Sequence, residues 1–150
     1  MNKRTAWLLC AVWMLFIFLM SAMPGETSDE QSGLVATLLT RLFTPVLGEH
    51  PEALDFSVLN LLVRKAAHMV EYAVLFLLYR NALTLSGVHR PGAVALLLCV
   101  SYAATDEFHQ RFVEGRGASP IDVMIDTAGA ALAWGLLILL RHLPKHFGQQ

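Results

Sequence analysis

RKAAHMVEYAVLFLLYR, Arg64 to Arg80, carries Arg64, Lys65, His68 and Glu71 in its first half and then AVLFLLY, a run with no charged side chain. Read as a soluble amphipathic helix, it would need polar residues along the whole of one face. The clean second half, and the apolar runs elsewhere in the chain, favour instead a membrane segment with a polar outer half. That segment extends from about Val58 to Tyr79. Three others accompany it: Thr5 to Met23, Gly92 to Gln110 and Ile121 to Leu140. Each is about long enough to cross a hydrocarbon core at roughly 1.5 Å per residue. The expected fold is all-α: a compact polytopic membrane protein of four transmembrane helices in one domain, residues 1–150.

The composition agrees. Of 150 residues, 55% are hydrophobic and only 15% charged, less charge than a soluble domain of this size uses to cover its surface. A net charge of -1, with scattered basic residues, gives no case for nucleic-acid binding. Cys10 and Cys99 lie within apolar runs, outside any CxxC spacing, and read as packing residues. The first span, opened by MNKR, is longer than a signal-peptide core and is expected to remain as an anchor. Lys3, Arg4, Arg80, Arg90, Arg141 and Lys145 all fall on one side of a four-span chain, which the positive-inside rule makes cytoplasmic. Both termini are then inside. All twelve acids lie in outer loops or in outer halves of helices.

Between the first two spans lies the longest loop, residues 24–57. PGETSDEQSG reads as polar and rich in breakers. LVATLLTRLFTPVLG then places Leu34, Leu38, Leu39, Leu42 and Phe43 near helical spacing, with Pro45 as the stop. A helix over about 33–44 is too short to span and suits an amphipathic interfacial or re-entrant position.

The polar residues gather at the outer ends of the spans. Asp55 or Ser57 is placed to cap the second helix. Arg64, His68, Glu71 and Tyr72 fall broadly on one of its sides, with Lys65 adjacent through its i, i+3 relation to His68. Tyr102, Asp106, His109 and Gln110 share a face of the third helix. Asp106 and Glu107 there meet the negative end of the helix dipole, which calls for a compensating cation. The fourth helix opens SPID, with Ser119 as N-cap and Pro120 at its first position. Asp122 suits its first turn, Asp126 is one turn deeper, and Gly129 allows close approach of a neighbouring helix. The EGRGAS turn, with Gly115 and Gly117, can bring Arg116 back over the site.

Two readings follow. In one, the charges form a salt-bridge network that orients the helices. In the other, Arg64, Lys65 and Arg116 clamp an anionic headgroup, phosphate or pyrophosphate, for which the arginine fork is well shaped. Intramembrane ionisable residues are functional hypotheses by default. If there is chemistry, His68 and His109 are the candidate general acid and base, and Asp106 or Asp126 would orient an imidazole or act as base. There is no GxSxG, HExxH or phosphate-loop motif. The histidines and carboxylates leave a divalent cation open as a cofactor, without a compact ligand spacing. His50, His89, His142 and His146 read as surface or interfacial residues. The inner halves of the spans lack ionisable residues, which disfavours a transmembrane ion or proton path.

RKAAHMVEYAVLFLLYR and TDEFHQRFVEGRGASPIDVMIDTAGAALAWG, Thr105 to Gly135, together resemble the VanZ-like family of bacterial membrane proteins, named after the teicoplanin-resistance protein. The family pattern is matched at Lys65, His68, Glu71 and Tyr72, at Asp106, Glu107, Gln110, Gly115 and Arg116, and at Asp122, Asp126 and Gly129. Glu114 stands where members often have proline. The resemblance implies a multi-pass bacterial inner-membrane protein and adds Glu71, Tyr72, Glu107, Gln110 and Asp122 to the expected ligand-binding set. Reduced susceptibility to a glycopeptide antibiotic, the property of the named member, points to an envelope lipid or lipid-linked precursor as partner. The expected function is recognition of a phosphate-bearing envelope lipid at the outer face, with hydrolysis or transfer as the chemistry, if any. The competing expectation is a noncatalytic membrane scaffold or envelope-interaction module that affects glycopeptide susceptibility.

Overall fold

The computed structural model describes residues 1–47 and 56–142. Five helices, all the secondary structure among these residues, run in order: α1 Lys3–Ser21, α2 Gly25–Leu47, α3 Phe56–Leu85, α4 Pro91–Gln110 and α5 Pro120–His142. The all-α expectation holds. His50, His146, Lys145, Glu49, Glu52 and the alternative cap Asp55 lie outside the described residues.

Local chemistry sets several ends. The Asn2 side chain accepts from the Thr5 amide at 2.8 Å and caps α1. Thr84 and Leu83 accept from Gly87 and Val88 in the paired bonds of a Schellman turn, so α3 runs past Arg80 to Leu85 before stopping. Pro91 opens α4. Ser119 caps α5 as expected: its Oγ accepts from the Ile121 amide at 3.2 Å and its carbonyl from Asp122 at 2.9 Å.

α3 is the central element and packs against each of the other four. Its buried side chains Tyr72, Leu75, Phe76, Tyr79, Ala82 and Leu83 meet Cys10 and Ile17 of α1, Ala95 and Cys99 of α4 and Ala130 of α5 in one core. Both cysteines are free and buried, as packing residues should be. Polar tips on the aromatics fix α1 in register. Trp13 Nε1 donates to the Glu71 carbonyl at 2.9 Å and Tyr102 Oη to the Met14 carbonyl at 2.6 Å. At Gly129, α5 lies so close to α3 that a Cβ would run into the Met69 carbonyl. A small residue is required there.

The segment after α1 departs from the expected loop. PGETSDEQSG is helical, and α2 runs unbroken from Gly25 to Leu47, two residues beyond Pro45. Contacts distant in sequence outweigh its weak propensity. Pro24 pre-sets the first turn, the Gly25 amide donates to the Glu114 carbonyl at 3.0 Å, and Asp29 pairs with Arg64. Ser32 and Ala36 are buried, whereas Leu34, Leu38 and Leu42 are exposed.

By length and hydropathy, two helices among the described residues could cross a membrane, α1 and α5, with mean hydropathies of 1.8 and 2.0 over their most apolar windows. Leu8, Val12 and Leu15 of α1 and Leu132, Leu136 and Leu139 of α5 are all more than half exposed. Apolar surface on that scale marks a face that meets something other than water.

Candidate functional site

The C-terminal end of α1, the N-terminal halves of α2 and α3 and the link between α4 and α5 enclose a cleft of about 220 Å³. Met20, Ser28, Gln31, Arg64, His68, Glu71 and Arg116 are among its lining residues. Arg64, His68 and Glu71 reach it because residues three and four apart share a helix face. Arg116 reaches it from the turn. Gly115 takes a left-handed φ of 71°, and the reversed chain sends the guanidinium back to the Met20 carbonyl, to which Nη2 donates at 3.3 Å. Glu114, in the same turn, supplies the carbonyl that accepts from the Gly25 amide and holds α2.

Two guanidiniums therefore face one small space. Arg64 forms an ion pair with Asp29, which is half exposed. The Arg116 Nε is buried without a hydrogen-bond partner among the described residues. Burial, with the Arg64 charge as the next largest cause, holds the Arg116 guanidinium below the ordinary arginine value. Carboxylates already act on both: Asp29 pairs with Arg64, and Asp106, Asp29 and Glu107 favour the charged Arg116.

Lys65 does not join this pair. Consecutive helix residues point about 100° apart, and Lys65 faces α5, where it forms an ion pair with Asp122. About a quarter of each side chain is exposed (27% and 22%). Replacing Lys65 with methionine alone should cost about 1–2 kcal/mol, less than a fully buried pair, because Asp122 keeps some water. Adding Asp122→Leu should restore most of the loss. Thermal unfolding of the two variants in detergent checks both statements.

Behind the cleft wall lies a second polar layer. His68 Nδ1 sits between two carboxylates, 3.5 Å from Glu71 Oε2 and 3.9 Å from Asp126 Oδ1. Asp126 and Asp106 are buried. Asp106 is hydrogen-bonded by neutral donors, Ser21 Oγ to Oδ2 at 2.6 Å and Gln110 Nε2 at 3.1 Å, and the expected cation acts on it without a direct hydrogen bond, as the nearby Arg116 charge. Gln110 Nε2 also lies 3.1 Å from Ser21 Oγ, so three helix-borne groups close one network. Ser21 was invisible to sequence reasoning because SAM reads as a small-residue span exit; its one signal was a hydroxyl in the last turn of an apolar helix. Ser21→Ala should destabilise by about 1–3 kcal/mol by leaving buried polar groups unpaired, read as a fall in the unfolding temperature.

The other expected residues are spread around this layer. Glu107 accepts from the Ser119 amide at 2.8 Å and so joins the end of α4 to the start of α5. Tyr72 is fully buried, with its hydroxyl unpartnered among the described residues. His109 stands apart from the cleft lining; its ring lies against Phe18, with centroids 4.5 Å apart. His89 and His142 are exposed. No group of three or more histidine, cysteine or carboxylate side chains placed to hold a metal occurs among the described residues.

Residues 6–141 match the family described as VanZ/LLP1, and the chain belongs to that family. No curated protein and no solved structure matches. Family membership and the two membrane-length helices together support a membrane-associated protein with an envelope-related role.

Proposed function

We propose that the protein is a single four-span inner-membrane domain whose cleft recognises a phosphate-bearing envelope lipid at the outer face. In this reading α1, α3, α4 and α5 cross the membrane over about residues 5–23, 58–79, 92–110 and 121–140. Both termini are cytoplasmic, and α2 lies along the outer surface with Leu34, Leu38 and Leu42 toward lipid. The observation that carries it is the pair Arg64 and Arg116 lining one cleft, with the Arg116 Nε buried and unpartnered among the described residues. Arg64 and Arg116 bind the anion, and Lys65 supports α5 through Asp122. Any proton transfer falls to His68, which lines the cleft and sits between Glu71 and Asp126, with Asp106 behind; His109 lies outside the cleft lining, against Phe18.

A second reading has its own support. The pairs Arg64–Asp29 and Lys65–Asp122 and the Ser21–Asp106–Gln110 network each join two helices, as a noncatalytic scaffold would require.

Mass spectrometry of a bacterial lipid extract incubated with purified protein separates these readings. A phosphate-bearing lipid retained or converted by the wild type and released by Arg64→Gln supports recognition. Equal retention by both proteins, each folded, supports the scaffold.

A further inference from the structure

Arg64 serves two structures at once. Its side chain lines the cleft, and its guanidinium forms the ion pair with Asp29 of α2. Among the described residues, Asp29 is the one carboxylate within ion-pair distance of either cleft arginine. Asp106 and Glu107 act on Arg116 at longer range and are held by other donors, Ser21 and Gln110 for the first and the Ser119 amide for the second. The Asp29 carboxylate has no second donor among the described residues, and half of its side chain is exposed.

That placement suits a ligand that can leave. Asp29 sits in the second turn of α2, a helix that packs chiefly against α3. Its backbone is tied separately: Asn60 Nδ2 donates to its carbonyl at 3.3 Å, and the Gly25 amide one turn earlier donates to the Glu114 carbonyl. The side chain can therefore turn to water without unwinding the helix. An ion pair exposed to this degree contributes little to stability and separates readily. A phosphate would engage the same planar fork through stronger, charge-assisted bonds. Part of the fork is also left unused, since Asp29 meets Nη2 while the Arg64 Nε is buried without a partner among the described residues.

We propose that Asp29 is an internal competitor for the cleft: its carboxylate occupies the arginine that an incoming anion must engage, and anion binding releases it to water. Asp29 thereby lowers the affinity of the cleft for its ligand and ties the first turns of α2 to the anion-free state. The proposal rests on the anion-recognition reading of the cleft.

Calorimetric titration of the full chain in detergent micelles with inorganic pyrophosphate tests it. Asp29→Asn should bind about three- to fivefold more tightly than the wild type, the gain expected when one exposed ion pair no longer has to be broken. Glu30→Gln removes the neighbouring exposed acid of α2, which pairs with no arginine among the described residues, and should change the affinity little. Amide hydrogen exchange supplies a readout that needs no variant: residues 26–32 of the wild type should exchange faster once pyrophosphate is added. Unchanged or weaker binding by Asp29→Asn overturns the competitor and leaves the cleft reading standing. An equal gain from Glu30→Gln also overturns it, because the acids would then act through their field alone. Unchanged or slower exchange at residues 26–32 overturns the release of α2. No pyrophosphate binding by any of the three proteins, each folded, overturns the cleft reading and the competitor with it.

Discussion

Gly129→Val is expected to lower stability by about 3 kcal/mol or more, among the larger effects a single substitution produces. The cause is steric and local. The obstacle is the Met69 carbonyl, part of the α3 backbone, so no side-chain rotation relieves the clash. The two helices must separate, and the Lys65–Asp122 pair that spans the same interface separates with them. Gly129→Ala should show a smaller loss of the same origin. Thermal and denaturant unfolding in detergent micelles reads both, and a loss below about 1 kcal/mol for the valine variant would contradict the close approach.

Arg116→Gln is expected to weaken retention of a phosphate-bearing lipid by about 10–100-fold, the worth of one charge-assisted hydrogen-bonding group in a shielded site. Stability should move little. The guanidinium is partly desolvated, its charged neighbours are mixed, Arg64 against Asp106, Asp29 and Glu107, and its one hydrogen bond among the described residues, to the Met20 carbonyl, is long at 3.3 Å. A structural arginine would behave in the opposite way, with stability falling and lipid retention unchanged. Arg116→Lys keeps the charge but loses the planar fork, and should fall between the two. Lipid-shift mass spectrometry and unfolding on the same preparations supply the two readouts.

The residues that could be read from sequence are those whose role is local or periodic. The apolar runs located α1, α3, α4 and α5. Ser119 and Pro120 fixed the start of α5 because capping is decided within four residues. Gly115 freed the turn that returns Arg116, and Gly129 marked the close helix pair. The rest depended on partners distant in sequence. PGETSDEQSG is helical because of Glu114 and Arg64, about ninety and thirty-five residues onward. Asp106 is hydrogen-bonded by Ser21, 85 positions away, and no pattern within α4 could reveal that hydroxyl partner. The division of Arg64 from Lys65 was available in principle. The 100° step between them lets Arg64 line the cleft while Lys65 turns to Asp122 of α5.

The central claim is a phosphate-selective cleft on the outer face, and its most direct test is protection of a residue inside it. Gln31 lines the cleft from α2 and is exposed, so Gln31→Cys offers a thiol there while Cys10 and Cys99 stay buried. The account predicts that an impermeant alkylating reagent added outside intact cells labels this thiol. In purified protein, a pyrophosphate-bearing isoprenoid lipid should slow that labelling, whereas the free alcohol with the same chain should not. Equal protection by the two lipids, or labelling only after the membrane is opened, would contradict it.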